Sequence, residues 1–313
     1  MTKPALLMIG SYPNWDMQAL ERDYEVLRLW EQADKDGFVA QHAARITAIG
    51  TRGDLGASRA LMDKLPNLKI IACNGVGTDA IDLAAAKARG IAVTNTPDVL
   101  NEEVADLTLA LMLGIARQIG KGDAFVRSGK WANEGWPLLT RMSGKRLGLL
   151  GLGRIGLAIA KRAEAFGMPI AYHTRTKREG SAYTYYPSLV ELAQNSDFLV
   201  AILPGGAGTQ NIVNADVLKA LGPKGFFINV ARGTVADEEA LLQALANKTI
   251  AGAALDVFWN EPKINERFFK LENALLHPHG GSATVETRQA MGKLVQDNLA
   301  AHFAGKPLLT PVG

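Results

Sequence analysis

The sequence predicts an α/β protein made of two doubly wound parallel-sheet domains. Three observations carry that expectation. Short aliphatic runs alternate with helix-periodic segments along nearly the whole chain. The runs are apolar throughout instead of alternating with polar residues, as strands buried on both faces are. The alternation stops once, in a loop with glycines and tryptophans over 128–143, and then restarts. A length of 313 residues fits two such units.

The first set of strands is expected at 5–9, 24–29, 46–50, 68–73 and 91–94, each bounded by Gly, Pro or polar residues. Helical segments lie between them, for example at 58–65 and 80–88. A longer helix follows. Asn101 can cap it, Val104, Leu107 and Leu111 share a face, and Glu102 and Glu103 in its first turn read as compensation of the helix dipole. The second set of strands is expected at 146–150, 170–173, 198–203, 226–230, 250–256 and 274–276. A last helix over 285–303 precedes a tail with Pro307 and Pro311 and is free to return to the first domain.

Composition narrows the function classes. Apolar residues make up 48% and charged residues 21%, as in an ordinary globular protein with a large core. The net charge is +3 with Lys and Arg scattered, which does not suggest nucleic acid. No apolar run reaches the ~18 residues of a membrane span. The start of the chain lacks a signal-peptide layout, and the one cysteine, Cys73, forms no intrachain disulfide, so a reducing, cytoplasmic location is expected. Cys73 reads as a small buried hydrophobe. No Cys/His spacing suggests a metal site.

Gly151-Leu152-Gly153-Arg154-Ile155-Gly156 stands between a strand and a helix, the setting of a dinucleotide-binding turn of Rossmann type. Gly151 permits the tight turn, Gly153 lets a pyrophosphate approach the backbone, and Gly156 allows close helix–strand packing. The helix start adds free N–H groups and positive potential. Such a turn is normally answered about twenty residues later by an acid that holds the ribose hydroxyls of NAD. Here Thr174, Arg175, Thr176, Lys177 and Arg178 stand instead. A solvated basic loop is one reading. The favoured one is a site for a 2′-phosphate, hence NADPH (NADP) over NADH (NAD), because guanidinium groups pair with phosphate oxygens.

Polar residues of a second kind sit at later strand ends. Arg232 follows the strand at 226–230, Asp256 ends the next with Glu261 beyond it, and His279 follows the last. In a parallel sheet all of them fall on the ligand-binding edge. Arg can clamp a carboxylate, and a protonated His can give its proton to a carbonyl oxygen as hydride arrives. A carboxylate beside the imidazole favours its protonated form. On spacing alone each of these residues also fits a structural role. His277 is taken as structural, and His42 and His302 as surface residues.

The stretches "NGVGTDAIDL", "VTNTPDVLNEEVADLTLALML", "GKRLGLLGLGRIG", "INVARGTVADEEAL", "LDVFWNEP" and "LLHPHGGSATVETR" resemble the D-isomer-specific 2-hydroxyacid dehydrogenase family over nearly the whole chain. The resemblance is greatest to its glyoxylate/hydroxypyruvate reductases, including the plant-type hydroxypyruvate and hydroxyphenylpyruvate reductases. It implies Arg232, Glu261 and His279 as the catalytic set. It implies cofactor contacts from Gly151, Gly153, Arg154, Ile155, Gly156, Thr174, Arg175, Thr176, Leu203, Pro204, Thr209, Val230, Ala231, Arg232, Asp256, His279 and Gly281, with Asp256 at the nicotinamide carboxamide. It implies that Asn74, Gly75, Val76 and Gly77 receive the substrate with Arg232 and His279. It also implies a Rossmann/flavodoxin-like pair of domains with an interdomain active-site cleft. The substrate domain would be 1–97 plus 287–313, the NAD(P)-binding domain 98–286, and the assembly a homodimer.

The chain departs from common versions of the family at Asn74, often apolar or aromatic in relatives, and at Gly205-Gly206-Ala207-Gly208-Thr209, where Thr-Pro-Glu-Thr is usual. Trp131 and Trp136 read as core or interface packing, or, by resemblance, Trp136 reaches the partner subunit's substrate. The expected activity is NADPH-dependent reduction of glyoxylate and hydroxypyruvate to D-2-hydroxy acids. The alternatives are a 2-ketogluconate or aryl-pyruvate reductase on the same scaffold, or a non-catalytic, dinucleotide-sensing protein of corepressor type.

Overall fold

A computed structural model describes residues 3–312. The chain divides into two compact units, one of 1–100 with 282–313 and one of 101–281. The expected boundaries at 97/98 and 286/287 differ by a few residues. Residues 98–100 lead up to the helix Asn101–Ala116 and group with the first unit, while Thr284, whose side chain accepts from the Thr287 N–H, groups with the helix Val285–Phe303 that it caps.

The first unit holds a parallel sheet of β1 (Ala5–Met8), β2 (Glu25–Arg28), β3 (Ile46–Arg52), β4 (Ile70–Asn74) and β5 (Ala92–Thr94), in the order β2-β1-β3-β4-β5. Strand geometry sends successive side chains to opposite faces. Leu7, Ile49, Ile71 and Cys73 pack with Val39, Met62 and Ala85 from the helices on one face. Leu6, Met8, Ala48 and Ile70 pack on the other with Met17, Leu20, Val295 and Leu299. Both faces are thus apolar, which is why these strands read as unbroken aliphatic runs. The helices covering the second face are Asn14–Asp23 and Val285–Phe303, so the end of the chain completes the core begun at its start.

The second unit holds β6 (Leu147–Leu150), β7 (Ile170–His173), β8 (Thr184–Tyr185), β9 (Phe198–Ala201), β10 (Phe226–Asn229), β11 (Gly252–Leu255) and β12 (Ala274–Leu276). Their order is β12-β11-β10-β9-β6-β7-β8, and every pairing is parallel. The order changes direction between β6 and β9, where the connections leave toward opposite sides. Arg162 binds Glu102 at 2.7 Å and Asp106 at 2.5 Å, and so ties the helix Arg154–Glu164 to Asn101–Ala116. The helix Ile119–Arg127, absent from the sequence expectation, buries none of its residues.

One buried charge burdens the first unit. Asp16 is 2% exposed, and its carboxylate lies where a side chain at Gly292 would be. Oδ1 accepts from Gln296 Nε2 at 3.1 Å, while Oδ2 has no hydrogen-bond partner. Burial pushes this carboxyl up to about 6. The folded chain therefore keeps a proton that the unfolded chain releases near the ordinary carboxyl value. Stability falls as pH rises between those two values, and the penalty is fully present at neutral pH, at most about 3 kcal/mol. Asp16→Asn keeps the acceptor for Gln296 and removes the charge. Unfolding midpoints should show the variant gaining on wild type as pH rises from 4 to 7 (a window of roughly two to three units); a constant difference would refute the assignment.

Candidate active site

The turn after β6 shows why three glycines stand there. Gly151 has φ +107°, and a Cβ on it would meet the Ile202 carbonyl oxygen at 2.2 Å. A Cβ on Gly156 would meet the Gly151 carbonyl oxygen at 2.6 Å. Gly153 differs, with nothing within 4 Å of its Cβ position, and it caps the helix Arg154–Glu164. The turn is closed behind by packing and open in front, where the first helical N–H groups lack intrahelical acceptors.

The β7 end lies alongside, with Gly151 N–H donating to the His173 carbonyl at 3.0 Å. Thr174 Oγ1 donates to the Thr176 carbonyl at 2.7 Å, and Tyr185 OH donates to the Thr174 carbonyl at 3.2 Å. Arg175 and Thr176 are exposed. Arg178 donates from Nη1 to the Leu152 carbonyl at 2.8 Å, fastening this loop to the glycine-rich turn. Beyond β9, Leu203 and Pro204 lead into a folded loop. There the Thr209 hydroxyl donates to the carbonyls of Pro204 at 2.9 Å and Gly206 at 3.2 Å.

The β10, β11 and β12 ends hold the polar residues. Buried Asn229 donates to the Arg232 carbonyl at 2.9 Å and accepts the Ala231 N–H at 3.1 Å, which shapes the stretch from Val230 to Arg232. Arg232 has extended backbone and donates from Nη1 to the Ala231 carbonyl at 2.8 Å. Asp256, 2% exposed, accepts three donors: His277 Nδ1 at 2.6 Å, Gly280 N–H at 2.7 Å and Gly281 N–H at 3.0 Å. This arrangement bends the loop, and within it His279 adopts φ +48°, unusual for a residue with a side chain. His279 Nδ1 lies 2.5 Å from Glu261 Oε2, and Glu261 Oε1 accepts the Phe258 N–H at 2.8 Å. With its carboxylate partner on Nδ1, the imidazole offers Nε2 as its second polar atom. His277, expected to be structural, carries a carboxylate of its own. No sequence signal showed that pair, because its members lie on different strand ends.

In the first unit Asn74 ends β4, and its Oδ1 is buried with no hydrogen-bond partner. The Gly75 carbonyl accepts from Thr96 N–H at 3.0 Å and the Val76 carbonyl from Asn95 Nδ2 at 2.9 Å. A trans peptide points its N–H opposite to its C=O. Pinning these carbonyls therefore aims the N–H groups of Val76 and Gly77 the other way.

Trp136 packs on Phe125 at a centroid distance of 5.0 Å and is 37% exposed, while Trp131 is 65% exposed. Among the described residues, no three His, Cys, Asp or Glu side chains gather as a metal site would require, and no helix is long and apolar enough to cross a membrane.

Comparison with known proteins places these features. The family model for the D-isomer specific 2-hydroxyacid dehydrogenase NAD-binding domain matches residues 109–281. The chain is 48% identical to glyoxylate/hydroxypyruvate reductase A HPR2 of Arabidopsis thaliana, over all of both chains. Among solved structures, 2-hydroxyacid dehydrogenase from Ketogulonicigenium vulgare Y25 superposes with TM-score 0.93 at 51% identity, covering 100% of this chain and 99% of that one. The NADPH-dependent glyoxylate/hydroxypyruvate reductase of Sinorhizobium meliloti, in complex with NADP and malonate, gives 0.91 at 46% identity, covering 100% and 97%. With a doubly wound dinucleotide fold and a relative so similar over its full length, the chain belongs to the D-isomer specific 2-hydroxyacid dehydrogenase family.

Proposed function

We propose that the protein reduces small 2-oxo acids, glyoxylate and hydroxypyruvate first, to D-2-hydroxy acids with NADPH, and that it works in the cytoplasm as a homodimer. The observation that carries this reading is the His279–Glu261 pair at 2.5 Å, standing on the same sheet edge as the glycine-rich turn. The names of the relatives support the same substrates.

In this reading the second unit is the NAD(P)-binding domain and the first is the substrate domain. Gly151, Gly153, Arg154, Ile155 and Gly156 hold the pyrophosphate. Leu203, Pro204 and Thr209, with Val230 and Ala231, would flank the dinucleotide, and Asp256 and Gly281 would receive its nicotinamide. The open face at Gly153 and the free helix start fit such a group. When bound, NADPH would supply the hydride that the keto carbon receives. Val76 and Gly77 N–H groups and Arg232 hold the substrate carboxylate, with Asn74 and Gly75 shaping that loop. His279 Nε2 gives its proton to the carbonyl oxygen as the C–O bond becomes single, and Glu261 holds the ring in place through Nδ1.

His279→Ala should lower kcat for glyoxylate on the order of 10²–10⁴-fold. Normal reductase rates in that variant would refute the mechanism, and absence of any turnover in wild type would favour a dinucleotide-sensing binding protein.

The preference for NADPH rests on Thr174, Arg175 and Thr176, where no carboxylate would repel a 2′-phosphate. Arg175→Ala should raise the NADPH KM about tenfold and leave the NADH KM nearly unchanged. Equal use of both cofactors by wild type would overturn the preference.

The homodimer is supported by the surface from Ile119 to Leu138. Ile119 is 58% exposed, Val126 53% and Leu138 102%, an apolar stretch with nothing of its own unit over it. We place Trp136 of this arm at the partner's substrate. Trp136→Ala should raise the hydroxypyruvate KM while light scattering still reports twice the 33.5 kDa chain mass. Wild-type kinetics would remove Trp136 from the site, and a monomeric wild type would remove the dimer.

A further inference from the structure

The first unit carries two cations that the reading above leaves idle. Arg52 closes β3 directly opposite Asn74 in the β4 ladder. Adjacent strands lie about 5 Å apart, so Arg52 starts one strand spacing from the Asn74–Gly77 loop. The contact continues beyond the ladder, since a Cβ on Gly75 would lie 3.4 Å from the Gly53 nitrogen. Arg52 grips Asp54 with both prongs, Nε to Oδ1 at 3.0 Å and Nη2 to Oδ2 at 2.7 Å.

Arg288 is the second cation. It lies in the first turn of Val285–Phe303, the helix that packs on β4. Its side chain is half-buried and has no hydrogen bond or ion pair among the described residues. The charges it feels are those of Arg52 and Asp54, and burial, followed by Arg52, pulls its guanidinium below the ordinary arginine range. One carboxylate thus serves two guanidiniums and is already gripped by one of them. A desolvated cation without its own counter-ion is costly, and it becomes favourable when a bound anion completes it.

We propose that Arg288, backed by Arg52, binds the distal carboxylate of a dianionic 2-oxo acid, so that the substrate range extends to short dicarboxylic 2-oxo acids such as oxaloacetate and 2-oxoglutarate. The proposal rests on the reading of the chain as a 2-oxo acid reductase whose substrate carboxylate meets Val76 and Gly77. Arg52 and the Asn74–Gly77 loop are neighbours by register, so the second anion position lies close to the first, as a short diacid requires. The chemistry of reduction is unchanged: hydride to the keto carbon, proton from His279 to its oxygen, and both carboxylates untouched.

The test is a specificity ratio, kcat/KM for 2-oxoglutarate or oxaloacetate over kcat/KM for glyoxylate. Arg288→Gln should lower it about tenfold or more, chiefly through the diacid KM, and Arg288→Lys should recover part of the loss. Asp54→Asn, which releases Arg52, should raise it. A structural role for Arg288 does not give these opposite signs, and Asp54→Asn decides the matter if Arg288→Gln fails to fold. A ratio unmoved by Arg288→Gln, a fall with Asp54→Asn, or no diacid reduction by a wild type that reduces glyoxylate would each overturn the anchor. Calorimetry of 2-oxoglutarate binding to the NADP-loaded proteins separates the two readings. Weaker binding by Arg288→Gln upholds the anchor even if the reductase reading fails, and equal binding ends it.

Discussion

A carboxylate buried at position 256 has to be met by donors, and much of the catalytic edge is arranged to supply them. Asp256 stands at the end of a central strand, almost without solvent. Its oxygens draw in one imidazole and two successive peptide N–H groups. Those three contacts hold the loop after β12, and the loop in turn presents His279 to Glu261. The geometry of the His279–Glu261 pair is thus a by-product of satisfying a buried charge. An unsatisfied group there would cost more than the net value of any one hydrogen bond.

Parallel strands impose the second constraint. Every strand of the larger sheet runs the same way, so all of its carboxyl ends face one edge, and chemistry supplied by any strand is available to the others. The glycine-rich turn, the basic loop after β7, Arg232 after β10 and the His279 loop after β12 need no further device to share that edge. The smaller sheet repeats the logic. Arg52 and the Asn74–Gly77 loop, at neighbouring strand ends, are neighbours by register.

Most of this framework was legible in the chain itself because burial on both faces writes strands as continuous aliphatic runs. Leu147–Leu150 and Phe226–Asn229 need no context to be recognised. The two-residue strand Thr184–Tyr185 escaped because an edge strand so short, half exposed and polar, has no apolar run. The helix Ile119–Arg127 escaped for a related reason. It carries two glycines and buries nothing, so it lacks a stripe facing its own core. In the site, residue types and strand ends offered Arg232, Asp256, Glu261 and His279 without separating function from structure, and the family resemblance singled out Arg232, Glu261 and His279. The His277–Asp256 pair did not show, since it depends on a bend that brings together side chains 21 positions apart. The isolation of Arg288 was equally invisible, because an arginine in a helical turn looks like a solvated one until its surroundings are known.

In the proposed mechanism, the left-handed backbone at His279 sets stability against turnover. Glycine or asparagine would sit in that conformation with less strain, and neither could carry the proton. The proposed proton donor and the backbone that carries it thus make opposite demands on one position.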